Sequence, residues 1–259
     1  MADALRIHVE PELHDPVFAI AFAGWNDAGE AATSALRYVD EAIHSAPLAD
    51  IDAEDFFDFT VRRPEVLRRE GNERAIVWPA TRFRYGSLDA DREIVTGLGL
   101  EPHLRWRSYC DRVVALVRSL GVRRAVLLGA YQADVVYSQP VQVTGFASDT
   151  EDLKRLAVEN SDYQGATGIV GVLGSRLEEE GIPVVSLWAG LPHYINASPN
   201  PRGALALVQK LSQCLGFSID EKPLQAQTSA FEERISKLVS SDSELSEYVK
   251  QLKRREFAQ

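Results

Sequence analysis

Two cysteines, Cys110 and Cys214, are all that 259 residues contain. They form no C-x-x-C pair, and no histidine stands near either at ligand spacing, which argues against a zinc site or a disulfide framework. Each falls inside an amphipathic helical pattern, so both read as buried free thiols of a reducing, cytoplasmic compartment. An excess of basic residues is also missing. Lys and Arg number 28 against 38 Asp and Glu, a net charge of −10, whereas a nucleic-acid partner calls for a basic field. The run RRPEVLRREGNER, Arg62 to Arg74, is locally basic but interleaved with glutamates, and reads as a solvated loop. No apolar run approaches the roughly 20 residues needed to cross a bilayer. The opening MADALRIHVEPEL has neither the basic nor the apolar region of a signal peptide. Missing too are G-x-S-x-G, H-E-x-x-H, the P-loop and the kinase signatures. No catalytic set, metal or cofactor is therefore expected. There is no internal repeat and no low-complexity stretch.

What is present is alternation of strand and helix. Pro16–Ala23, Ala125–Gly129 and Val184–Trp188 are short and apolar apart from Ser186, the pattern of parallel strands covered on both faces. Phe56–Val61 and Arg74–Trp78 read as further strands, and Phe83–Tyr85 with Glu93–Gly97 as a pair on a sheet edge. Helices are expected after Asp27, ending at Pro47; after Pro102, ending at Gly121; and from Thr167 to about Glu180. The segment from Ala130 to about Thr150 reads as one long loop. The spacing predicts a three-layer α/β/α sandwich over residues 1–219 with a largely parallel sheet. From Asp220 no strand pattern remains. Ser229-x-x-Glu232 and Ser241-x-x-Glu244 read as capping boxes of two helices, which form a C-terminal appendage over 220–259. Its apolar stripe, Phe231, Ile235, Leu238, Leu245, Val249 and Leu252, either folds back on the sandwich or meets another subunit.

The most informative stretch is LPHYINASPNPRGALALVQKL, Leu191 to Leu211. Asn200 is a good N-cap, Pro201 suits the first helical turn, and Gly216 ends the helix. The loop before it holds His193, Tyr194, Asn196 and Asn200. In α/β proteins, ligands and partners meet the loops at the carboxyl ends of strands. Two other loops follow predicted parallel strands. GWNDAGEAA carries Trp25, Asn26 and Asp27, and GAYQADVVYSQP carries Tyr131 and Asp134. These nine residues are the candidate binding site for a partner or ligand. The glycines Gly165, Gly168, Gly171 and Gly174 lack the lysine of a P-loop, and close helix packing accounts for their three-residue spacing.

Two of these motifs, GWNDAGEAA and PHYINASPNPRGALAL, carry a resemblance to the proteasome assembly chaperone family in its actinobacterial branch, over residues 5 to 255. The resemblance implies a sandwich similar to the nucleoside phosphorylase and hydrolase-like fold. It implies a non-catalytic protein-binding module, with proteasome subunits or another protein as client, and self-association as a homotrimer. The alternative is a small-molecule enzyme of phosphorylase, hydrolase or ATP-grasp type. The chain departs from the family at two places. Val136, Tyr137, Ser138 and Gln139 stand where a basic, histidine-bearing stretch is expected. The tail REFAQ offers Phe257 but no penultimate tyrosine for docking on a proteasome.

Overall fold

The interior of VFAIAFA, Val17–Ala23, is wholly removed from water, which requires a sheet covered on both sides. The computed structural model describes residues 4–68 and 70–256, so Phe257 and the last residues of the tail lie outside the described residues. The strands are β1 (Leu5–Ile7), β2 (Val17–Ala23), β3 (Ala46–Ile51), β4 (Glu65–Arg68), β5 (Arg74–Val77), β6 (Thr81–Ser87), β7 (Glu93–Leu100), β8 (Ala125–Ala133), β9 (Val143–Ala147), β10 (Glu159–Asn160) and β11 (Val184–Pro192). The helices are α1 (Ala31–Ala42), α2 (Trp106–Ser119), α3 (Thr150–Arg155), α4 (Ile169–Glu179), α5 (Pro201–Leu215), α6 (Lys222–Ser241) and α7 (Ser243–Glu256).

Nine strands form one sheet in the order β1-β3-β6-β7-β2-β8-β11-β9-β10. The centre, β7-β2-β8-β11, is parallel, as the uniform apolarity of its strands implied. Antiparallel pairs flank it on both sides. Side chains alternate between the two faces. Phe18, Ile20, Phe22, Leu127 and Val184 pack against α2 and α4. Ala19, Ala21, Val126, Leu128, Val185 and Leu187 pack against α1 and α5. The result is the expected three-layer sandwich. Small residues let α1 and α5 approach: a Cβ on Gly203 would sit 2.7 Å from the Ala31 methyl. Both cysteines are buried and free, and burial pushes the Cys110 thiol up to about 12.

Several expected elements are corrected. Phe56–Val61 is not a strand but a turn, because Phe56 and Phe57 reach the α2 core from it. The strand at Arg74 belongs to a separate two-stranded ribbon with β4, outside the main sheet. β6 and β7 do pair, but β3 and β1 lie beyond β6 and β2 lies beyond β7, so the pair is interior. Pro47 lies within β3, after α1 has already ended. The segment 130–150 is not one loop: β8 continues to Ala133, and β9 lies antiparallel to β11.

The C-terminal helices also start differently. α6 already runs from Lys222, with a proline in its first turn. Ser229 is therefore mid-helix, and its hydroxyl donates back to the Gln225 carbonyl. Asp242, not Ser241, caps α7, accepting from the Glu244 and Leu245 amides. The apolar stripe folds back onto the sandwich. Phe231, Ile235, Val239, Val249 and Leu252 form one buried cluster with Val136 and Ile195 from two candidate loops, whereas Leu238 points to water, 49% exposed.

Candidate functional site

Because β2, β8 and β11 run parallel, their carboxyl ends fall at one end of the sandwich, and so do the three candidate loops. The Ala130 amide donates to the Asn26 carbonyl at 2.8 Å, and the His193 amide to Ala133 at 3.2 Å. The GWNDAGEAA and PNPRG motifs meet directly. The Asn200 amide donates to the Gly29 carbonyl at 2.7 Å, and the Ser198 hydroxyl donates to Glu30 at 2.8 Å. Gly29 adopts φ +58°, and a Cβ there would lie 2.9 Å from the Asn200 Cβ, so both its conformation and its contact favour glycine.

Most polar motif residues are occupied with holding this junction. Asn200 caps α5 as expected, its Oδ1 accepting from the Arg202 and Gly203 amides. Asp27 is buried and accepts from the Ala32 amide at 2.6 Å and from Thr33. Burial holds its carboxyl above the usual range, against the pull of those donors. Asn26 is fully buried. Its Nδ2 donates to Glu101 Oε1 at 2.8 Å, and the same oxygen accepts the Ile169 amide at 2.8 Å. Glu101 thus fills the start of α4, where an anion would otherwise sit. Gly168 is needed there because a Cβ would fall 2.2 Å from Asn26 Oδ1. At Gly174 a Cβ would fit, 3.6 Å from Leu127 and 3.8 Å from Val184, so of these two glycines only Gly168 is required by close approach. Nothing in the sequence pattern pointed to Glu101, which acts from the end of β7.

His193 and Asp134 do come together. Their side chains stand 3.0 Å apart, and Tyr248 Oη lies 3.5 Å from the far ring nitrogen, Nε2. Tyr194 packs edge-on against both His193 and Tyr248. Its hydroxyl donates to the Val135 carbonyl and accepts from the Tyr137 amide. Arg202 ties the same loop down, pairing with the Tyr137 and Gln139 carbonyls and, at 2.8 Å, with Glu232 of α6. The helix pair α6–α7 therefore lies over this loop. The crevice left beside it, lined by Tyr137, Ile195, Arg202, Phe231 and Ile235, holds about 10 Å³, room for about one water. Asn196 is exposed. A larger open groove of about 520 Å³ adjoins the junction between α1, α5 and α6, with Arg37, Pro199, Leu224 and Arg234 among its walls.

Exposed at this end beside Asp134, His193 and Asn196 are aromatic side chains. Trp25 is 63% exposed and Tyr131 38%. Away from these loops, Phe146 of β9, opposite Ser186 near the start of β11, and Tyr163, in the segment leading to α4, are exposed as well. Tyr131 and Phe146 point to the α4 side of the sheet, since their neighbours Ala130, Gly145 and Ala147 point to the other. Sequence reasoning missed Phe146 because β9 was read as part of a loop, and no pattern singled out Tyr163. Among the described residues there is no cluster of His, Cys, Asp or Glu suited to a metal, and no helix long and apolar enough to cross a membrane.

Residues 21–239 match the PAC2 family. The chain belongs to this family. It is 37% identical to a proteasome-assembly chaperone homologue from Mycobacterium tuberculosis, with a TM-score of 0.83 over 90% of this chain and 99% of that one. It is 39% identical to a PAC2 family protein from Streptomyces avermitilis, also at TM-score 0.83, over 91% and 100%. The fold extends to a Pyrococcus furiosus protein described as an archaeal proteasome activator, at 19% identity and TM-score 0.72 over 90% and 97%. No curated protein matches. The two motifs of this PAC2 chain are the parts that lock α1, α5 and the sheet edge together.

Proposed function

We propose that this PAC2 chain is a non-catalytic binding protein with a chaperone-like role toward proteasome subunits or their precursors. In this reading it acts in the cytoplasm and associates with itself as a homotrimer. The observation that carries the client is the likeness, along nearly its whole length, to the mycobacterial chaperone homologue. Trp25 and Tyr131, exposed at the loop end, supply the contact surface. Exposed Trp and Tyr on a rigid edge are the residues that dominate protein interfaces, and a chain of net charge −10 suits a protein partner better than a nucleic acid. His193 and Asp134 are exposed near them, and Tyr194 and Asn200 brace the loops that carry them. The enzyme alternative rests on fold likeness alone, which does not carry an activity.

The test is native mass spectrometry of the purified protein with separately purified actinobacterial proteasome α- and β-subunits. The expected result is a complex of this chain with one subunit type before the full particle forms. Free chain beside both subunits and their assembling mixture, at tens of micromolar, would contradict the reading.

A further inference from the structure

Between α1 and α6, over the start of α5, runs the open groove of about 520 Å³, a volume in the range of ligand sites. The two helices that wall it run in opposite directions. The bond from the Asn200 amide to Gly29 sets the start of α5 beside the start of α1, and the Thr228 hydroxyl of α6 donates to the Pro201 carbonyl at 3.2 Å. Further along α1, the Tyr38 hydroxyl donates to the Asp220 carbonyl, just before α6. Arg234, past Thr228 on α6, therefore emerges at the Ser198–Pro199 end of the groove. Arg37 reaches back to the same end, 4.0 Å from Glu30, whose carboxylate also accepts from the Ser198 hydroxyl. Both arginines line the groove.

The two guanidiniums are poorly satisfied there. The Arg37–Glu30 pair is long and more than half exposed on both sides, so it contributes little. Arg234 is exposed, stands over the Phe231 ring at 5.2 Å, and meets no carboxylate among the described residues. Between the walls the lining is apolar, with Pro199, Pro201, Ala204 and Leu224. Glu41 lines the opposite end beside Tyr38. The groove is thus polarised: it attracts an acid at one end and repels one at the other. From Ser34 to Glu41 its wall is about 10 Å of helix, the length of about three extended residues. An open groove leaves a compact ligand half in water, whereas an extended chain lies along it. The acid belongs at the end of the groove and not in its middle, so it is the terminal carboxylate of that chain, whose two oxygens can meet two guanidiniums at once.

We propose that this groove captures the C-terminal tail of a partner protein, its last three residues apolar and extended between α1 and α6. Arg37 and Arg234 hold the carboxylate, the loosely paired Glu30 giving way to it. The apolar lining takes the side chains, and Glu41 fixes the direction of entry. The groove lies on the α1–α5 side of the sheet, whereas Tyr131 points to the α4 side. It adds a second contact to the binding role proposed above and does not depend on the client being a proteasome subunit.

Fluorescence anisotropy of the full chain with a labelled pentapeptide, Gly-Ser-Leu-Ala-Leu, tests it, the peptide being used as the free acid and as the C-terminal amide. The acid should bind about ten-fold more tightly than the amide, or better. Arg37→Gln/Arg234→Gln, checked for an unchanged unfolding midpoint, should weaken the acid by about ten-fold or more and bring the two peptides level. Arg68→Gln/Arg74→Gln, on the β4–β5 ribbon, should change neither. Equal binding of acid and amide by the wild type would overturn the terminal carboxylate. A preference for the acid that survives the loss of Arg37 and Arg234 would overturn the groove. Octanoate that displaces the peptide at equal concentration would overturn a protein tail in favour of a free acid. Binding of neither peptide at about millimolar concentration would overturn the capture altogether and leave the proteasome reading to its own test.

Discussion

Two segments outside the sheet ladders invite comparison: the junction of residues 26–30 with 197–203, and the ribbon β4–β5. The junction carries the most recognisable motifs of the chain, and its residues are capped, buried or pressed together. The ribbon carries no motif, yet holds Val66, Ile76 and neighbouring Leu67 in water. The difference teaches that a distinctive motif in this chain marks scaffold. Asn200, Asp27, Gly29 and Gly203 are specified by the close approach of α1 and α5, while surfaces free to meet a partner consist of ordinary aromatic, aliphatic and arginine residues.

If that contrast holds, the junction should fail first. Gly203→Val should cost about 3 kcal/mol in chemical denaturation, since its Cβ would already crowd Ala31 at 2.7 Å and Leu191 at 3.0 Å. A loss under about 0.5 kcal/mol would mean that α1 and α5 slide apart freely. Asn200→Ala should cost about 1 kcal/mol by removing the cap of α5. Asp27→Asn sharpens the point through pH. Burial raises the folded carboxyl above its ordinary 3.8. Between that value and the folded one the native state binds the extra proton, so the wild type's stability falls as pH rises through the window. The variant should lack that slope, so the wild type's stability should fall relative to the variant's as pH rises from 3.8. Parallel curves would contradict it. Buried Asp40, likewise raised, keeps its own slope in both proteins. The smallest effect is expected at the ribbon: Val66→Ser/Ile76→Ser should change the unfolding free energy of the dissociated chain by about 0.5 kcal/mol or less.

The same contrast explains what could be read from the chain in advance. Ala125–Gly129 and Val184–Trp188 were legible because burial on both faces leaves few polar positions in the strand, Ser186 alone in the two. β9, VTGFA, was not, because its outward Thr144 and Phe146 and its Gly145 resemble loop composition. FFDFT looked like a strand by its aromatics, but those rings enter the core from a turn. The Ser229 box misled because capping chemistry is local, and the helix had already begun near Pro223. Parallel strands placed Trp25, Tyr131 and His193 at one end of the molecule. That α6 and α7 cover the His193 loop could not be read, since an apolar stripe does not name what it covers.

The most direct measurement of the central claim is isothermal titration of a proteasome subunit with the wild type and with Trp25→Ala/Tyr131→Ala. Loss of two exposed aromatic anchors should weaken binding by about thirty-fold or more while leaving the unfolding midpoint nearly unchanged. Asn200→Ala, despite its larger effect on stability, should bind within about three-fold of the wild type at a temperature where it is folded. Undiminished affinity in the aromatic variant, or a loss confined to Asn200→Ala, would contradict the account.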